Sequence, residues 1–352
     1  MTSGYTKRRR RLREIAGEYS NILVTKPQNI FYLTGFWGGG VGAVLEDRVI
    51  LVTTQMERPR VEGSSVETEV IGVPALLNAW DEMRGNLEGG PSLVDSSLGG
   101  GKPLPKGLVV DEGLFLRARR TKDEEEVGRI VSASRKIDKI YEFIEEEAKP
   151  GMTERQVAAG AMKVATLEGL TPFASEGSLN PIIVAAGSNG AYPHAEVTDR
   201  AIGDGDFVVV DLFFRFEGYG SDETRTFAAG RVSEEKKRNY HSVLAAQEKG
   251  CELAIKGVEC ARLHGEVVKE LENASLARYF THGTGHGVGI DIHEMPSIGR
   301  TSTDVLERGD VVTVEPGIYI PGRNGVRIED TLLVGTRPRI LTQYTKDLVV
   351  LG

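Results

Sequence analysis

FVVVDLFFRFEGYGSDETRTF, residues 207–227, reads as two β-rich runs joined by a polar, glycine-bearing turn near Phe216 and Glu217. A tight turn at that point places Asp211 on the first run directly opposite Asp222 on the second. Opposed residues of an antiparallel pair have Cβ atoms roughly 5 Å apart. The stretch therefore predicts a hairpin that brings two carboxylates together, provided that the register does not slip by one residue.

A second acidic hairpin is predicted from residues 311–334, VVTVEPGIYIPGRNGVRIEDTLLV. A turn around Gly322 places Glu315 opposite Glu329. A single acidic residue in a strand usually faces solvent, and each of the four carboxylates taken alone fits that interpretation. Facing like charges destabilise a sheet, however, and buried carboxylates become neutral unless a cation compensates them. The paired carboxylates therefore indicate a divalent metal site.

A segment rich in histidine and glycine supplies further candidate ligands. THGTGHGVGIDIHEMP, residues 281–296, carries three of the six histidines of the chain, His282, His286 and His293. The glycines between them allow close backbone approach. One isolated histidine is more often structural than ligating, but such a segment beside two acidic hairpins favours ligation by at least one of the three. We select His286 as the ligand and expect His282 to be structural.

The order of predicted elements divides the chain into two domains. Residues 1–120 alternate short strands and helices, including a hairpin that turns at Glu46 and Asp47, and they predict a small mixed α/β domain. Residues 121–352 open with a long helical pattern that stops at Pro150. In this part, helices followed by strands occur twice. The sequence therefore predicts an α/β (α+β) protein whose second domain is duplicated internally about a pseudo-two-fold axis.

Composition limits the partners and the compartment. The 352 residues carry a formal charge of -8, which argues against a nucleic-acid partner. No apolar stretch follows the basic run at residues 7–13, so no secretion signal is predicted. A nucleic-acid arm is the alternative for this run, and we interpret it as the solvated face of a first helix. No apolar run approaches the roughly 20 residues that span a bilayer. Cys251 and Cys260 lie about 13 Å apart if one helix carries both, too far for a disulfide. We therefore expect a cytoplasmic protein with reduced thiols and no membrane partner.

Four strings resemble a known family: VDLFFRFEGYGSDETRTF, HGTGHGVGIDIHEMP, TVEPGIYIPG and GVRIED. They are similar to metallopeptidases of the pita-bread fold, specifically the Xaa-Pro dipeptidase (prolidase) and aminopeptidase P branch. NIFYLTGF at residues 29–36 resembles the N-terminal domain of that branch. The resemblance implies a creatinase/prolidase-type domain over residues 1–120 and a catalytic pita-bread domain over residues 121–352.

The resemblance also implies a metal centre. The five metal ligands of the family match Asp211, Asp222, His286, Glu315 and Glu329, and Asp222 and Glu329 resemble its two bridging carboxylates. Four carboxylates balance two divalent ions. Oxygen-rich coordination favours Mn²⁺ or Co²⁺, with Zn²⁺ or Fe²⁺ as further options. The complete ligand set argues against a metal-free relative.

The catalytic residues are implied in the same way. The family's substrate-side histidines match His194, in NGAYPHAE, and His293. The resemblance implies that both histidines hold the substrate and stabilise the developing oxyanion, while Glu315 shuttles a proton to the leaving proline nitrogen. We expect Arg327 to pair with a carboxylate ligand in a bidentate manner and to fix its rotamer.

The implied activity is hydrolysis of the bond before proline in Xaa-Pro dipeptides by a dinuclear metal centre. The alternatives are an Xaa-Pro aminopeptidase acting on longer peptides and a non-catalytic peptide-binding protein of the same fold. Ser297 stands where many prolidases carry an arginine suited to a dipeptide's carboxylate, so substrate length stays open. The expected partners are a small proline-containing peptide and a second copy of the chain in a homodimer. Trp37 is a candidate for a rim that limits substrate length, whereas Phe31 and Tyr32 are expected in the core.

Overall fold

The structure is a computed structural model that describes residues 4–46, 48–64, 67–96, 107–173 and 182–352, with the backbone alone at 98–99 and 102–103. The chain divides into two compact units, Met1–Arg119 and Arg120–Gly352. The predicted domain boundary between residues 120 and 121 stays a prediction. Asp47, one of the two predicted turn residues of the first hairpin, lies outside the described residues.

The first unit combines short helices with a mixed sheet. Its helices are α1 (Gly4–Ala16), α2 (Pro27–Thr34), α3 (Arg58–Ser64), α4 (Ala79–Arg84) and α5 (Leu114–Arg119). Its strands are β1 (Asn21–Val24), β2 (Val41–Val44), β3 (Val49–Thr54), β4 (Glu69–Val73), β5 (Ser92–Val94), β6 (Leu98–Gly99), β7 (Lys102–Pro103) and β8 (Leu108–Val110). The sheet order is β4-β3-β2-β1-β5-β8, and the predicted β2–β3 hairpin is confirmed.

The aromatic residues of the first unit lie largely as expected. Phe31 and Tyr32 are buried, which confirms core packing for both. Trp37 is 38% exposed and packs its ring 5.4 Å from that of Phe31. The predicted role of Trp37 as a rim stays a prediction. The basic run lies within α1, whose Leu12 is fully buried.

The second unit repeats an order of two helices followed by strands. The first set comprises α6 (Glu124–Glu147), α7 (Glu154–Leu167), β9 (Thr171–Pro172), β10 (Ile182–Ala186), β11 (Phe207–Phe216) and β12 (Tyr219–Ala229). The second set comprises α8 (Glu234–Leu253), α9 (Cys260–Asn273), β13 (Gly285–Gly287), β14 (Glu294–Ile298), β15 (Val311–Val314), β16 (Gly317–Ile320), β17 (Asn324–Arg327), β18 (Asp330–Leu333), β19 (Arg339–Ile340) and β20 (Val350–Leu351).

Each helix pair covers one sheet. The described strands form sheets in the orders β10-β11-β12-β20 and β14-β13-β15-β18-β19, with β16 and β17 as a separate pair. Val208 and Val210 of β11 pack with Ile137 and Ile140 of α6 in one buried core. Because side chains alternate along a strand, Asp211 points away from these helices. No helix in the described parts of the chain is long and apolar enough to span a membrane.

Candidate metal centre

The first acidic hairpin adopts a register that differs from the predicted one. The turn lies at Glu217 and Gly218, so Asp211 is opposite Thr224, and the predicted direct pairing of Asp211 with Asp222 was wrong. Both turn residues have positive φ, 49° and 85°, as a two-residue type I′ turn requires. The register moves by two residues, an even number, and therefore keeps both carboxylates on one face as diagonal neighbours.

The second acidic hairpin has the predicted register. β16 pairs with β17 around Gly322, and β15 pairs with β18 in the same register. Glu315 and Glu329 lie between these two ladders, where their backbones bond to other segments of the second unit. The amide of Glu315 donates to the carbonyl of Thr284 at 2.7 Å, and that of Glu329 donates to the carbonyl of Thr224 at 3.0 Å. This segment therefore joins the two halves of the second unit at the acidic residues.

The five residues selected as metal ligands line one cavity of about 490 Å³ in the second unit. Possible ligand atoms of Asp222, His286 and Glu329 all lie within 4.8 Å of one another. His286 Nε2 is 3.8 Å from Asp222 Oδ2 and 3.6 Å from Glu315 Oε1. Asp211 completes the set of acidic residues in the wall.

The donor atoms in this cavity fit a cation. Asp211 Oδ1, Asp222 Oδ1 and Glu329 Oε1 are buried and have no hydrogen-bond partner among the described residues. The other oxygens of two of them are bonded: Asp211 Oδ2 accepts from Arg327, and Glu329 Oε2 accepts from Thr224 at 2.7 Å. A buried carboxylate oxygen without a donor is costly, and oxygen-rich sites suit hard or borderline divalent metals. The free oxygens are thus available for coordination.

Burial and mutual repulsion perturb the ionisable groups of the cluster. Burial and then the charge of Glu329 raise the pKa of Asp222 well above its usual range. Burial raises the pKa of Glu315 to about 8, and burial followed by Glu315 raises the pKa of Glu329. Burial lowers the pKa of His286 to about 3, so its imidazole is neutral. Carboxylates in this condition gain their charged form when a cation binds.

The hydrogen bonds of His286 select the tautomer that can coordinate a metal. Its Nδ1 lies 3.0 Å from the carbonyl oxygen of Gly287, which can only accept. Nδ1 therefore carries the proton, and Nε2 presents its lone pair toward Asp222 and Glu315. Backbone bonding fixes the ring as well, because the amide of His286 donates to Thr313 Oγ1 at 3.2 Å.

A chain of hydrogen bonds extends outward from Asp211. Arg327 Nη2 donates to Asp211 Oδ2 at 2.7 Å, and Nη1 donates to the hydroxyl of Tyr319 at 2.7 Å. The expected pairing of Arg327 with one of the carboxylates selected as ligands is present, although a single nitrogen makes it and Nε bonds Thr224 instead. Because Arg327 can only donate, the Tyr319 hydroxyl accepts from Arg327 and donates its own hydrogen bond to His282 Nε2 at 2.9 Å.

No sequence pattern indicates a role for Tyr319, since a tyrosine in a β-rich run is an ordinary core residue. His282 lines the cavity, and its Nδ1 donates to the Gly283 carbonyl at 2.8 Å. Both ring nitrogens of His282 are thus hydrogen-bonded. The expectation that His282 is structural stays a prediction.

The two substrate-side candidates, His194 and His293, are exposed and line the same cavity. The ring of His293 meets that of His286 edge-on, with centroids 4.3 Å apart. Partial loss of water around its ring within the cavity, followed by repulsion from His194, lowers the pKa of His293. Ser297 also lines the cavity. The structure therefore brings every residue selected for catalysis or metal binding to one cavity.

Comparison with known proteins identifies the family. Residues 128–336, more than half of the chain, match the profile described as metallopeptidase family M24. The chain belongs to metallopeptidase family M24. Residues 8–95 match the creatinase/prolidase N-terminal domain. This family M24 chain is a peptidase of a metal-dependent class, and the expected resemblance is confirmed.

Individual relatives of this family M24 chain cover nearly its whole length. It is 33% identical over 340 residues to the Xaa-Pro dipeptidase of Pyrococcus horikoshii, an alignment covering 93% of this chain and 94% of that one. The solved Xaa-Pro dipeptidase from Bacillus anthracis superposes with a TM-score of 0.88 at 29% identity, covering 99% of this chain and 100% of that chain. The prolidase from Pyrococcus horikoshii superposes with a TM-score of 0.86 at 30% identity, covering 97% and 100%. The expected pita-bread architecture with an additional N-terminal domain is confirmed.

Proposed function

We propose that this chain hydrolyses the peptide bond preceding proline in Xaa-Pro dipeptides. The observation that carries the proposal is the set of three buried carboxylates, each with one unbonded oxygen, beside the unprotonated Nε2 of His286. Two divalent ions would be held by Asp211, Asp222, His286, Glu315 and Glu329. The relatives named Xaa-Pro dipeptidase, which align over most of both chains, support the choice of substrate.

Each group in the cavity has a proposed task. Bound divalent ions supply Lewis acidity and a nucleophile at neutral pH. Glu315, whose side chain is 20% exposed, takes up the proton of the nucleophile and delivers it to the leaving proline nitrogen. His194 and His293 donate hydrogen bonds to the oxygen of the scissile carbonyl, where negative charge develops. Arg327 holds Asp211 in a single orientation through the 2.7 Å bond.

The finer features of the protein are proposals as well. Mn²⁺ or Co²⁺ suits a site with four carboxylates and one imidazole, and Zn²⁺ or Fe²⁺ is the alternative. The homodimer implied by the family resemblance is tested by light scattering of the purified chain. Both cysteines are free and buried, which supports a reducing compartment such as the cytoplasm.

The test is an assay of leucine release by the purified chain with added Mn²⁺. We expect leucine and proline from Leu-Pro, loss of the activity with a chelator, and its recovery when Mn²⁺ is restored. Leu-Ala serves as the matched substrate without proline, and Leu-Pro-Gly tests the aminopeptidase alternative. Preferred cleavage of Leu-Pro-Gly would replace the dipeptidase proposal, and metal-loaded protein that cleaves none of the three would refute hydrolysis.

A further inference from the structure

A buried ion pair lies outside the set of proposed metal ligands. Lys122 Nζ is 2.9 Å from Glu294 Oε2, and both side chains are only 1% exposed. Transferring two charges out of water is expensive, and a buried pair persists only where good geometry and further hydrogen bonds compensate that cost. The further hydrogen bonds of Glu294 show which part of the second unit this pair holds in place.

The carboxylate of Glu294 closes the loop that carries His293. Its Oε1 accepts hydrogen bonds from the backbone amides of Ile290 at 3.0 Å and Asp291 at 3.1 Å. Residues 290–294 therefore form a loop whose two ends are joined through one side chain. His293 directly precedes Glu294, so the direction of its side chain depends on this closure.

Lys122 is itself held from a different part of the unit. Its amide donates to the carbonyl of Gly309 at 2.8 Å, and its Nζ donates to the carbonyl of Arg120 at 3.0 Å. The guanidinium of Arg120 donates to both oxygens of Asp310, at 3.2 and 3.1 Å. The ammonium group therefore approaches Glu294 from a backbone segment that is anchored independently of the loop.

Gly289, the residue directly before this loop, lies against the ion pair. A Cβ atom added to Gly289 would lie 2.6 Å from Glu294 Oε2 and 2.9 Å from Lys122 Cε. On its other side, the carbonyl of Gly289 accepts from the amide of Gly220 in β12 at 2.8 Å. The loop is thus fixed between the strand that carries Asp222 and the ion pair.

We infer that Lys122 is a positioning residue, which acts through Glu294 to orient His293 toward the substrate. This inference rests on the proposed function, because it takes His293 to contact the scissile carbonyl. Lys122 holds neither substrate nor metal. Its removal should misdirect His293 and leave the ligands of the metal centre in place.

The first test compares Lys122→Met with Lys136→Met. Lys136 Nζ makes comparable bonds to the carbonyl of Glu168 at 2.7 Å and to its carboxylate at 3.3 Å, outside the cavity and the loop. We expect Lys122→Met to lower kcat for Leu-Pro about 10- to 100-fold, as loss of a supporting partner does. Its Mn²⁺ content should equal that of the parent, and Lys136→Met should retain the parental kcat. Loss of Mn²⁺ from Lys122→Met, or a parental kcat in it, would overturn the inference.

The second test separates positioning from general destabilisation. In a His293→Ala background, Lys122→Met should lower kcat no further, because the residue on which it acts is gone. If Lys122→Met lowers kcat by the same factor in the parental chain and in the His293→Ala background, the inference is contradicted. If Lys122→Met fails to fold, the double variant Lys122→Met/Glu294→Gln, which removes both buried charges, replaces it. The kcat of this double variant is then compared with and without His293→Ala.

A third measurement does not depend on activity. In ¹³C-histidine-labelled, metal-free protein, the ring signal of His293, assigned from His293→Ala, should shift in Lys122→Met while that of His264 stays in place. An unshifted His293 signal refutes the inference. If the parent chain releases no proline from Leu-Pro but the His293 signal still shifts in Lys122→Met, the proposed function is refuted and the positioning of His293 by Lys122 is supported.

Discussion

Asp222→Asn should have opposite effects on the metal-free and the metal-loaded chain. In the metal-free chain, Asp222 is buried beside other carboxylates, and its Oδ1 has no partner among the described residues. An asparagine of the same shape is neutral without taking up a proton, and it offers an amide donor to its acidic neighbours. In the loaded chain, the same substitution removes one of the four charges proposed to hold the metals.

The size of each effect follows from the burial. Relief of one unsatisfied buried group is worth about 1–3 kcal/mol. For a domain of 150–250 residues, each 1 kcal/mol moves Tm by about 2–4 °C, so the metal-free Asn variant should melt roughly 2–12 °C above the metal-free parent. Each tenfold loss of metal affinity removes about 1.4 kcal/mol of metal-linked stability. The gain in Tm on adding Mn²⁺ should therefore shrink in the variant.

The assay is thermal melting after chelation and again with Mn²⁺, together with metal analysis. Asp310→Asn is the matched control, because Asp310 is fully buried but paired with Arg120. This control should lose stability to the same extent with and without Mn²⁺. Two bound metals and full activity in Asp222→Asn would refute the ligand assignment. A metal-free Asp222→Asn that melts as far below the parent as the control would refute the repulsion on which the reasoning depends.

Three further predictions concern single side chains. His194→Ala should keep the parental metal content but lower kcat about 100-fold, as loss of an oxyanion donor does; a loss of metal would make His194 a ligand. Tyr319→Phe should cost about 1 kcal/mol of stability and lower metal affinity about tenfold by releasing Arg327 from one partner; calorimetry of Mn²⁺ binding measures this, and an unchanged affinity would contradict it. Burial raises the pKa of Cys260 to about 12 and that of Cys251 above its usual range, so iodoacetamide should label neither in the native chain from pH 7 to 9. Unfolded thiols ionise near pH 8.5, so the stability gained by keeping these thiols neutral in the folded chain is fully present below about pH 8.5 and is lost as the pH rises toward about 12. Equal labelling of native and denatured protein by iodoacetamide would contradict the raised pKa values.

Much of the candidate site could be predicted from local sequence, because β-hairpins relate residues that are close along the chain. The register around Gly322 was correct, since one glycine-bearing turn fixes it. The register of β11 and β12 was displaced because the positive φ of Glu217 was not evident from its residue type. Even so, the displacement by an even number kept Asp211 and Asp222 on one face. Side-chain alternation therefore protected the prediction of the site from an error in the turn.

Long-range pairs could not be predicted in this way. Lys122 and Glu294 are 172 positions apart, and neither stands in a pattern that indicates a partner. The chain from Asp211 through Arg327 and Tyr319 joins segments from β11, β17 and β16, and only the packed sheets bring them together. Local patterns thus predict ligands on hairpins, whereas the groups that support those ligands depend on tertiary contacts.

The alternation of β12 also explains why a metal-free chain should stay folded. Asp222 lines the cavity, and Thr224 lies on the same face of the strand. The side chains of Glu223 and Arg225 point to the opposite face. There Arg225 Nη2 lies 2.7 Å from Glu223 Oε1 and 2.9 Å from Asp330 Oδ1. Arg225 also donates to the backbone carbonyl of Glu329. The backbone that presents Asp222 and Glu329 is therefore held by opposite charges behind the cavity, and this bonding does not involve the metal. Removal of metal should consequently leave the proposed ligands in place but electrostatically uncompensated, which is the state in which Asp222→Asn is expected to stabilise the chain.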